Sequence, residues 1–432
     1  MDSNERYVSR LAPLTLRVKG MASPQPVYHQ KAKDVRAERA EAGVVTLYRR
    51  DDVVRINRHP AVLGAGGRGG NFGNDNPLIP LEIDGEDHKK WRQLLDPLFA
   101  PKPMARLEGL VRKRAAELVD GFADAGTAEL YEDYCVPLPC LTFLEFVGAP
   151  AEDIEFFVHF KDGVLHPQGN TRDEIRASQA ASGATLVDYF SKFFTQRRAE
   201  GVRGDDVLAV LLRSQIDGRP LTDAELLNII YLLMFAGLDT VTASMSCLLA
   251  WLGQHPHECR RLAEDPARIP AAVEELMRHQ SPAPSSIRYA TADIDLGDGL
   301  TIQAGEAIHV SWAAANVDPT AYPDPLRVDF ERGRFHHLAF GSGVHRCLGS
   351  HLARLELRVA LEELLARIPD YAVDTDALVY DNVSVRTVQQ LHIAFDTNAG
   401  IAASGAGAAS NKTGLAASHC RSPTDSVHSR HR

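Results

Sequence analysis

The sequence predicts a mainly α-helical protein with a minor β component, and three observations carry that expectation. Residues 226–253, LLNIIYLLMFAGLDTVTASMSCLLAWLG, form one long apolar run of helical length. Helix-type spacing of apolar residues dominates from residue 86 to residue 279. Strand-like alternation with glycine punctuation is confined to short stretches, the clearest being 288–312, RYATADIDLGDGLTIQAGEAIHVSW. A chain of 432 residues, 44% hydrophobic and 24% charged, is long enough for a large core and ordinary in composition for a soluble globular protein.

Taken in order, the residues before 60 read as helical and strand-like pieces without nameable chemistry. Residues 64–80, GAGGRGGNFGNDNPLIP, form a loop rich in Gly, Asn and Pro. Gly64, Gly66 and Gly69 fit GxGxxG by letter, but a dinucleotide site needs a helix to begin there, and Asn, Gly and Pro follow instead. This loop reads as a mobile surface loop or lid. Thr222 with Glu225 forms a capping box that starts the long helix, which stops near Gly253 and the His255-Pro256 pair. An irregular Pro- and Asp-rich stretch covers 316–335, another helix covers 348–368, and strand-like pieces end near Phe395. Residues 1–396 read as a single domain. From 397 to 432 Ala, Gly, Ser and Asn dominate, a composition that cannot bury enough apolar surface to order a chain, so a disordered tail is expected.

Composition excludes several function classes. A net charge of −10 argues against binding nucleic-acid phosphates. Six cysteines with no CxxC pair make neither a disulfide scaffold nor a zinc ribbon. The polar N-terminus lacks the apolar core of a secretory signal, which points to the cytoplasm. Residues 226–253 could span a bilayer by length, yet Asp239 lies at their middle, where a carboxylate costs at least about 2.5–3.5 kcal/mol. A buried central helix is the expected reading. His255, His257 and Cys259 alternate like metal ligands, but no second cluster stands at zinc-like spacing.

The most informative segment is 337–354, HLAFGSGVHRCLGSHLAR. Cys347 follows a Gly-rich loop and precedes a helical pattern, where helix amides are expected to depress its pKa. Gly341, Gly343 and Gly349 allow tight turning or close approach to something large and flat. Phe340, Gly343, Cys347 and Gly349 spell F-x-x-G-x-x-x-C-x-G, and this segment resembles the haem-binding signature of the cytochrome P-450 superfamily. The resemblance covers 50–396, including A-N-x-D-P at 315–319. It implies the triangular-prism fold of that family, with the long central helix over the haem.

That resemblance assigns Cys347 as the axial thiolate ligand of the iron in haem b (iron protoporphyrin IX), with Phe340, Gly341, Ala236 and Gly237 beside the cofactor. Thiolate ligation favours O–O cleavage. Glu275 and Arg278, alone an ordinary helix pair, resemble the family's E-x-x-R with Arg332 as partner, a structural lock. Ala236, Gly237, Leu238, Asp239 and Thr240 resemble A-G-x-D-T, where the central helix opens slightly to admit O2. Asp239 and Thr240 would be the acid–alcohol pair that delivers protons. Val241 stands where many members have a second Thr. His88, Arg92, Arg288 and His345 match positions that hold the haem propionates. Leu232, Phe235, Ala236, Ala283, Pro284, Ser285 and Val385 match the substrate pocket, which is predominantly apolar.

The implied activity is a bacterial-type monooxygenase that hydroxylates or epoxidises a small, mainly apolar molecule such as a terpenoid, steroid or polyketide fragment. Electrons would come from NAD(P)H through a ferredoxin and its reductase, since the chain carries no flavin or iron–sulfur segment. Arg334, His336, His337, Arg346, His351 and Arg354 cluster in sequence around the cysteine loop, giving an expected basic face for an acidic ferredoxin. Two haem-based alternatives stay open at this point: a peroxygenase, whose relatives commonly lack the acid–alcohol pair, and a non-catalytic binder or sensor. A cysteine hydrolase built on Cys347 would need an orienting His and no haem.

Overall fold

The computed structural model describes residues 21–40, 43–64, 72–74, 76–333, 335–382 and 385–397. The tail expected from 397 onward therefore lies, beyond Thr397, outside the described residues. The principal elements run in chain order as α1 Gln25–Asp34, β1 Ala37–Ala40, β2 Val44–Leu47, α2 Arg50–Ile56 and β3 Val62–Leu63. There follow α3 Gly85–Leu95, α4 Glu108–Asp120, α5 Pro137–Val147, α6 Ile154–Leu165, α7 Arg172–Ala199 and α8 Asp223–Gly253. The C-terminal part holds α9 Pro256–Glu264, α10 Ile269–Gln280, β4 Ser285–Ala290, β5 Ala307–Ser311, α11 Ser350–Arg367, β6 Val379–Asn382 and β7 Arg386–Gln390.

The apolar run at 226–253 is a core helix, α8, with most of its surface covered by protein. Its first turn is closed as the sequence indicates: Thr222 Oγ1 accepts from the Glu225 amide and the Glu225 side chain accepts from the Thr222 amide. Such a cap contributes about 1 kcal/mol. Apolar residues surround α8 on all sides because two separate clusters bury it. Its N-terminal half, with Ile229, Ile230 and Leu233, packs on Phe143 and Phe146 of α5, Phe157 and Phe160 of α6, and Phe190 and Phe194 of α7. Its C-terminal half, with Met245, Leu248 and Leu252, packs on Val111 of α4, Leu276 of α10 and Leu361 and Leu364 of α11.

The strand signal at 288–312 resolves into β4 and β5 of a five-stranded sheet ordered β1-β2-β5-β4-β3. β5 pairs antiparallel with β4, Ile308 opposite Arg288, and parallel with β2, Ile308 opposite Val45. The N-terminal pieces thus complete a sheet whose other strands lie more than 200 residues downstream. The register sets Arg288 in the sheet beside the C-terminal end of α2.

Two adjacent glutamates of α10 tie the C-terminal half together. Glu275 and Arg278 are fully buried and form a two-pronged pair at 2.7 and 2.8 Å, and Arg332 Nε reaches Glu275 Oε1 at 3.0 Å. The two guanidinium groups also donate to the carbonyls of Asn316, Pro323, Asp324, Pro325 and Arg327, which shapes the irregular stretch without regular structure. Glu274 faces the cysteine loop, where Arg354 binds it through Nε and Nη2 at 2.5 and 2.9 Å and His337 Nε2 at 3.1 Å. The Ala339 amide donates to His337 Nδ1, so this buried ring is a neutral Nε2–H tautomer that donates to the carboxylate.

Burial pushes the Glu274 carboxyl up, but the bonds from His337 and Arg354 outweigh it and hold its pKa at about 2. A carboxyl held low in the fold adds stability that is complete above about pH 4.5 and is lost as pH falls toward about 2. Denaturant midpoints measured across that window should fall more steeply in the native protein than in Glu274→Gln. Parallel curves would remove Glu274 as the source of acid sensitivity.

Candidate functional site

Cys347 sits in a loop that the two glycines before it make possible. Gly341 and Gly343 have φ of +69° and +74°, a region that favours glycine, and a Cβ on Gly343 would run into the backbone carbonyl of Asn57. Gly349, by contrast, lies in open space with an ordinary φ. The Cys347 amide donates to the Phe340 carbonyl at 2.9 Å, which closes the loop. Phe340 is covered on one side by the Arg354 guanidinium, 4.4 Å from its ring centroid.

The expectation of an acidified cysteine is corrected here. Cys347 presents surface outward but is walled closely by protein. Burial raises its thiol pKa more than the Gly349 amide, Arg92, Arg346 and Arg354 lower it. The short helix-terminal field is outweighed by desolvation. A thiol that coordinates a metal ion is deprotonated outright, so the loop need not supply the thiolate by itself.

The four proposed propionate ligands converge. His88 and His345 have ring centroids 4.2 Å apart. Arg92 Nη1 donates to the Arg346 carbonyl at 2.9 Å and its Nε pairs with Asp96 at 2.7 Å, placing α3 against the cysteine loop. Arg288 donates from Nε to Asn57 Oδ1 at 2.9 Å and from Nη1 to the Ile287 carbonyl. Burial lowers the Arg288 pKa to about 10, and no carboxylate among the described residues is recorded as its ion-pair partner. His88 is 4% exposed, its Nε2 has no hydrogen-bond partner, and burial, His345 and Arg92 hold its pKa at about 4. A buried guanidinium and an orphaned imidazole nitrogen in one cluster are the donors that a pair of haem carboxylates requires, so the residues present fit haem.

On α8, Ala236 and Thr240 are exposed on one side of the helix and Asp239 is buried, 6% exposed. The helix runs continuously from Asp223 to Gly253, through 236–240. Thr240 Oγ1 donates to the Ala236 carbonyl at 2.8 Å, and Thr242 does the same to Leu238. Gly237 has a packing reason: a Cβ there would stand 2.5 Å from the buried Phe143 ring. Burial raises the Asp239 pKa, while Lys161 of α6, its Nζ 3.3 Å from Asp239 Oδ1, pulls it down. Lys161 is itself buried and also meets half-buried Asp162 at 2.9 Å.

The expected pocket residues come from three segments. Leu232, Phe235 and Ala236 share one face of α8 by their i, i+3, i+4 spacing. Ala283, Pro284 and Ser285 lead into β4, and Val385 leads into β7, with the Arg386 amide bonded to the Pro282 carbonyl at 2.7 Å. Phe72, which the sequence did not single out, adds a wall: its ring lies 4.5 Å from Phe235. Its φ is +39°, its carbonyl accepts from Tyr231 Oη at 2.6 Å, and a Cβ on Gly183 would strike the backbone of Gly73. Asn74 donates to Asn228 at 2.9 Å, so this part of the loop is stitched to α8.

The expected basic face around the loop is reduced. His337 and Arg354 turn inward onto Glu274, and Arg334 lies outside the described residues. Arg346 and His336 remain exposed, as does Val344 at 67%. Cys259 is buried and His255 stacks on Trp251 at 3.8 Å; no cluster of potential metal ligands occurs among the described residues.

Residues 172–368 match the family profile described as Cytochrome P450. Cytochrome P450 CYP107DY1 of Priestia megaterium is 32% identical over 73% of this chain and 76% of its own length. The cytochrome P450 monooxygenase PikC of Streptomyces venezuelae is 36% identical over 72% of this chain and 75% of its own. A mutant of P450 EryK in complex with erythromycin B superposes with a TM-score of 0.78 at 31% identity, covering 88% of this chain and 98% of that one. Similarity at this identity and coverage joins the cysteine loop, the long core helix and the small sheet in one lineage: the chain belongs to the cytochrome P450 superfamily and is a haem monooxygenase that hydroxylates or epoxidises an organic substrate.

Proposed function

We propose that this monooxygenase is a cytoplasmic enzyme that oxidises a mid-sized, mainly apolar metabolite, with electrons from NAD(P)H delivered by a ferredoxin and its reductase. The observation that carries the substrate reading is the aromatic pair Phe72 and Phe235 beside Leu232, an apolar wall. The neighbour in complex with erythromycin B supports a substrate of polyketide type. The acid–alcohol pair favours O2 over peroxide as oxidant, because a peroxygenase has no need of a proton relay at Asp239 and Thr240.

Haem bound at Cys347 supplies the redox centre at which O2 is reduced and one oxygen atom is passed to substrate. His88, Arg92 and Arg288 would hold its carboxylates, and His345, whose Nε2 hydrogen goes to a carboxylate of the protein, would stand beside them without donating. Phe340 and Gly341 shape the cysteine side, and Ala236 and Gly237 keep the opposite face free of bulk. Thr240 holds its proton on the Ala236 carbonyl, so its Oγ1 lone pairs accept a hydrogen bond on the exposed side of α8. Asp239 is the proton carrier: burial favours its protonated form, and Lys161 keeps the ionised form accessible. Asp162, Lys161 and Asp239 form a chain of groups from the half-buried rim to the core, along which a proton can be resupplied at Asp239 Oδ1.

The electron donor would dock on the outer side of the cysteine loop. Val344 is its apolar contact and Arg346 the cation that attracts an acidic partner.

Three outcomes are expected. The carbon monoxide difference spectrum of the dithionite-reduced protein should show a strongly red-shifted Soret band that Cys347→Ser abolishes; a band indifferent to that change would sink the reading. Lys161→Met removes the cation beside Asp239, so the Asp239 pKa rises further and the limb of the pH–rate profile that it governs should move to higher pH. An unmoved profile would take Lys161 out of proton supply. Reduction by a ferredoxin should slow about tenfold between low and 0.3 M salt, and Arg346→Glu should be slow already at low salt with a smaller further loss, whereas salt-independent rates in the parent would remove electrostatic docking.

A further inference from the structure

Among the groups gathered for the haem carboxylates stands one that bears the wrong charge. Asp84, the residue before α3, places Oδ1 2.9 Å from His345 Nε2 and 2.7 Å from the Gly64 amide. Its other oxygen, Oδ2, is buried and without a hydrogen-bond partner. A carboxylate in a cluster made to receive two carboxylates repels them, so its presence requires a compensating role. It also forgoes a local one. An Asp at this position ordinarily caps its own helix, for about 1 kcal/mol. Asp84 makes no side-chain cap bond to α3; its oxygen is spent on two segments distant in sequence.

Those segments are informative. Gly64 ends β3 and opens the Gly-rich loop; His345 lies two residues before Cys347. A carboxylate only accepts hydrogen bonds, so Asp84 fixes the hydrogen of His345 on Nε2 and the ring by that edge. The Gly64 backbone closes on the same edge of the ring: a Cβ there would lie 2.5 Å from Nε2 and 2.8 Å from Cε1 of His345. Since the φ of Gly64 is unremarkable, space for this ring is what requires glycine. His88, with its buried unpartnered Nε2, packs against the ring, 4.2 Å between centroids.

We infer that Asp84 is a positioning residue for the haem edge: with Gly64 it clasps His345, ties the cysteine loop to the end of β3, and adds one negative charge beside the haem carboxylates. The inference rests on the haem reading above and goes beyond it. Two measurable properties follow. Haem cannot leave past His345 without opening the clasp, so the clasp slows haem loss. A nearby negative charge favours the ferric over the ferrous state, so Asp84 lowers the reduction potential.

The test uses purified holoenzyme and two readouts, the rate of haem transfer to excess apomyoglobin and the reduction potential by spectroelectrochemistry. Asp84→Ala removes both bonds and should speed haem transfer about tenfold, the effect of one charge-assisted hydrogen bond. Gly64→Ala displaces the ring without touching the charge and should speed transfer by a similar factor with the potential unchanged. Asp84→Asn keeps an acceptor for both donors and should retain haem within about threefold of the parent while its potential moves positive. If all three variants match the parent in both readouts, the inference is overturned. If Asp84→Ala does not fold, Gly64→Ala and Asp84→Asn still decide it, since a merely structural Asp84 moves thermal stability but not the potential. A parent protein that shows no thiolate-type Soret band fails the haem reading instead, a separate result.

Discussion

The buried ion pair between Glu275 and Arg278 is the interaction on which the C-terminal half depends. Two charges out of water carry a desolvation cost of several kcal/mol each, recovered only if every remaining hydrogen and lone pair finds a partner. Here the partners are Arg332 and five backbone carbonyls of a stretch that has almost no regular structure. The stretch is ordered because the guanidinium groups demand it. Removing one member would leave a buried charge unpaired, a loss of about 3–5 kcal/mol. The neighbouring Glu274 extends the same helix turn to the other side, onto His337 and Arg354, which flank the cysteine loop. One turn of α10 therefore carries both the irregular stretch and the cysteine loop, and the position of Cys347 is inherited from it.

Much of this was legible in the sequence, for identifiable reasons. The start of α8 could be read because Thr222 and Glu225 cap it within four residues. The E-x-x-R pair, the two turn-forming glycines and Cys347 could be read because their spacing is local and the family signature is dense. The paired strands at 288–312 were visible as alternation, but not their parallel neighbour near residue 45, since a register across the chain leaves no local mark. Lys161 was hidden in IEFFVHFKDGVL, where a lone lysine on an apolar helix looks like an ordinary surface charge; only the crossing of α6 over α8 brings it to Asp239. Glu274 was overshadowed by Glu275, and nothing local marks Asp84, whose partners Gly64 and His345 are distant in sequence. Phe72 sat in a loop whose composition speaks of turns and says nothing of where an aromatic ring comes to rest.

Two expectations failed for physical reasons. The sulfur of Cys347 has helix amides and three arginines in its favour, yet burial outweighs them, because desolvation scales with enclosure while the helix field fades within a turn. The cations around the loop were counted from sequence as one basic face, but a cation's outward field depends on what it is bonded to. Arg354 is bound to Glu274, which leaves Arg346 beside a protruding valine. Gly237, by contrast, has the close-packing reason that a mid-helix glycine asks for, since its Cα faces a phenylalanine ring within a continuous helix.

The left-handed backbone at Phe72 has a consequence for time rather than for fit. A bulky residue held there costs about 1–3 kcal/mol, and the hydroxyl of Tyr231 and the close approach of Gly73 and Gly183 offset it. The backbone at Phe72 is thus held in a strained conformation by neighbours on other helices, and relaxes if they part. Were that release the slow step, a bound molecule would depart on its schedule and not on the strength of its own contacts. Two molecules of equal affinity but different bulk under Phe72 would stay for different intervals, and the longer-lived one would be oxidised more often. Selectivity becomes a matter of dwell time, adjustable from a tyrosine that need not touch either molecule.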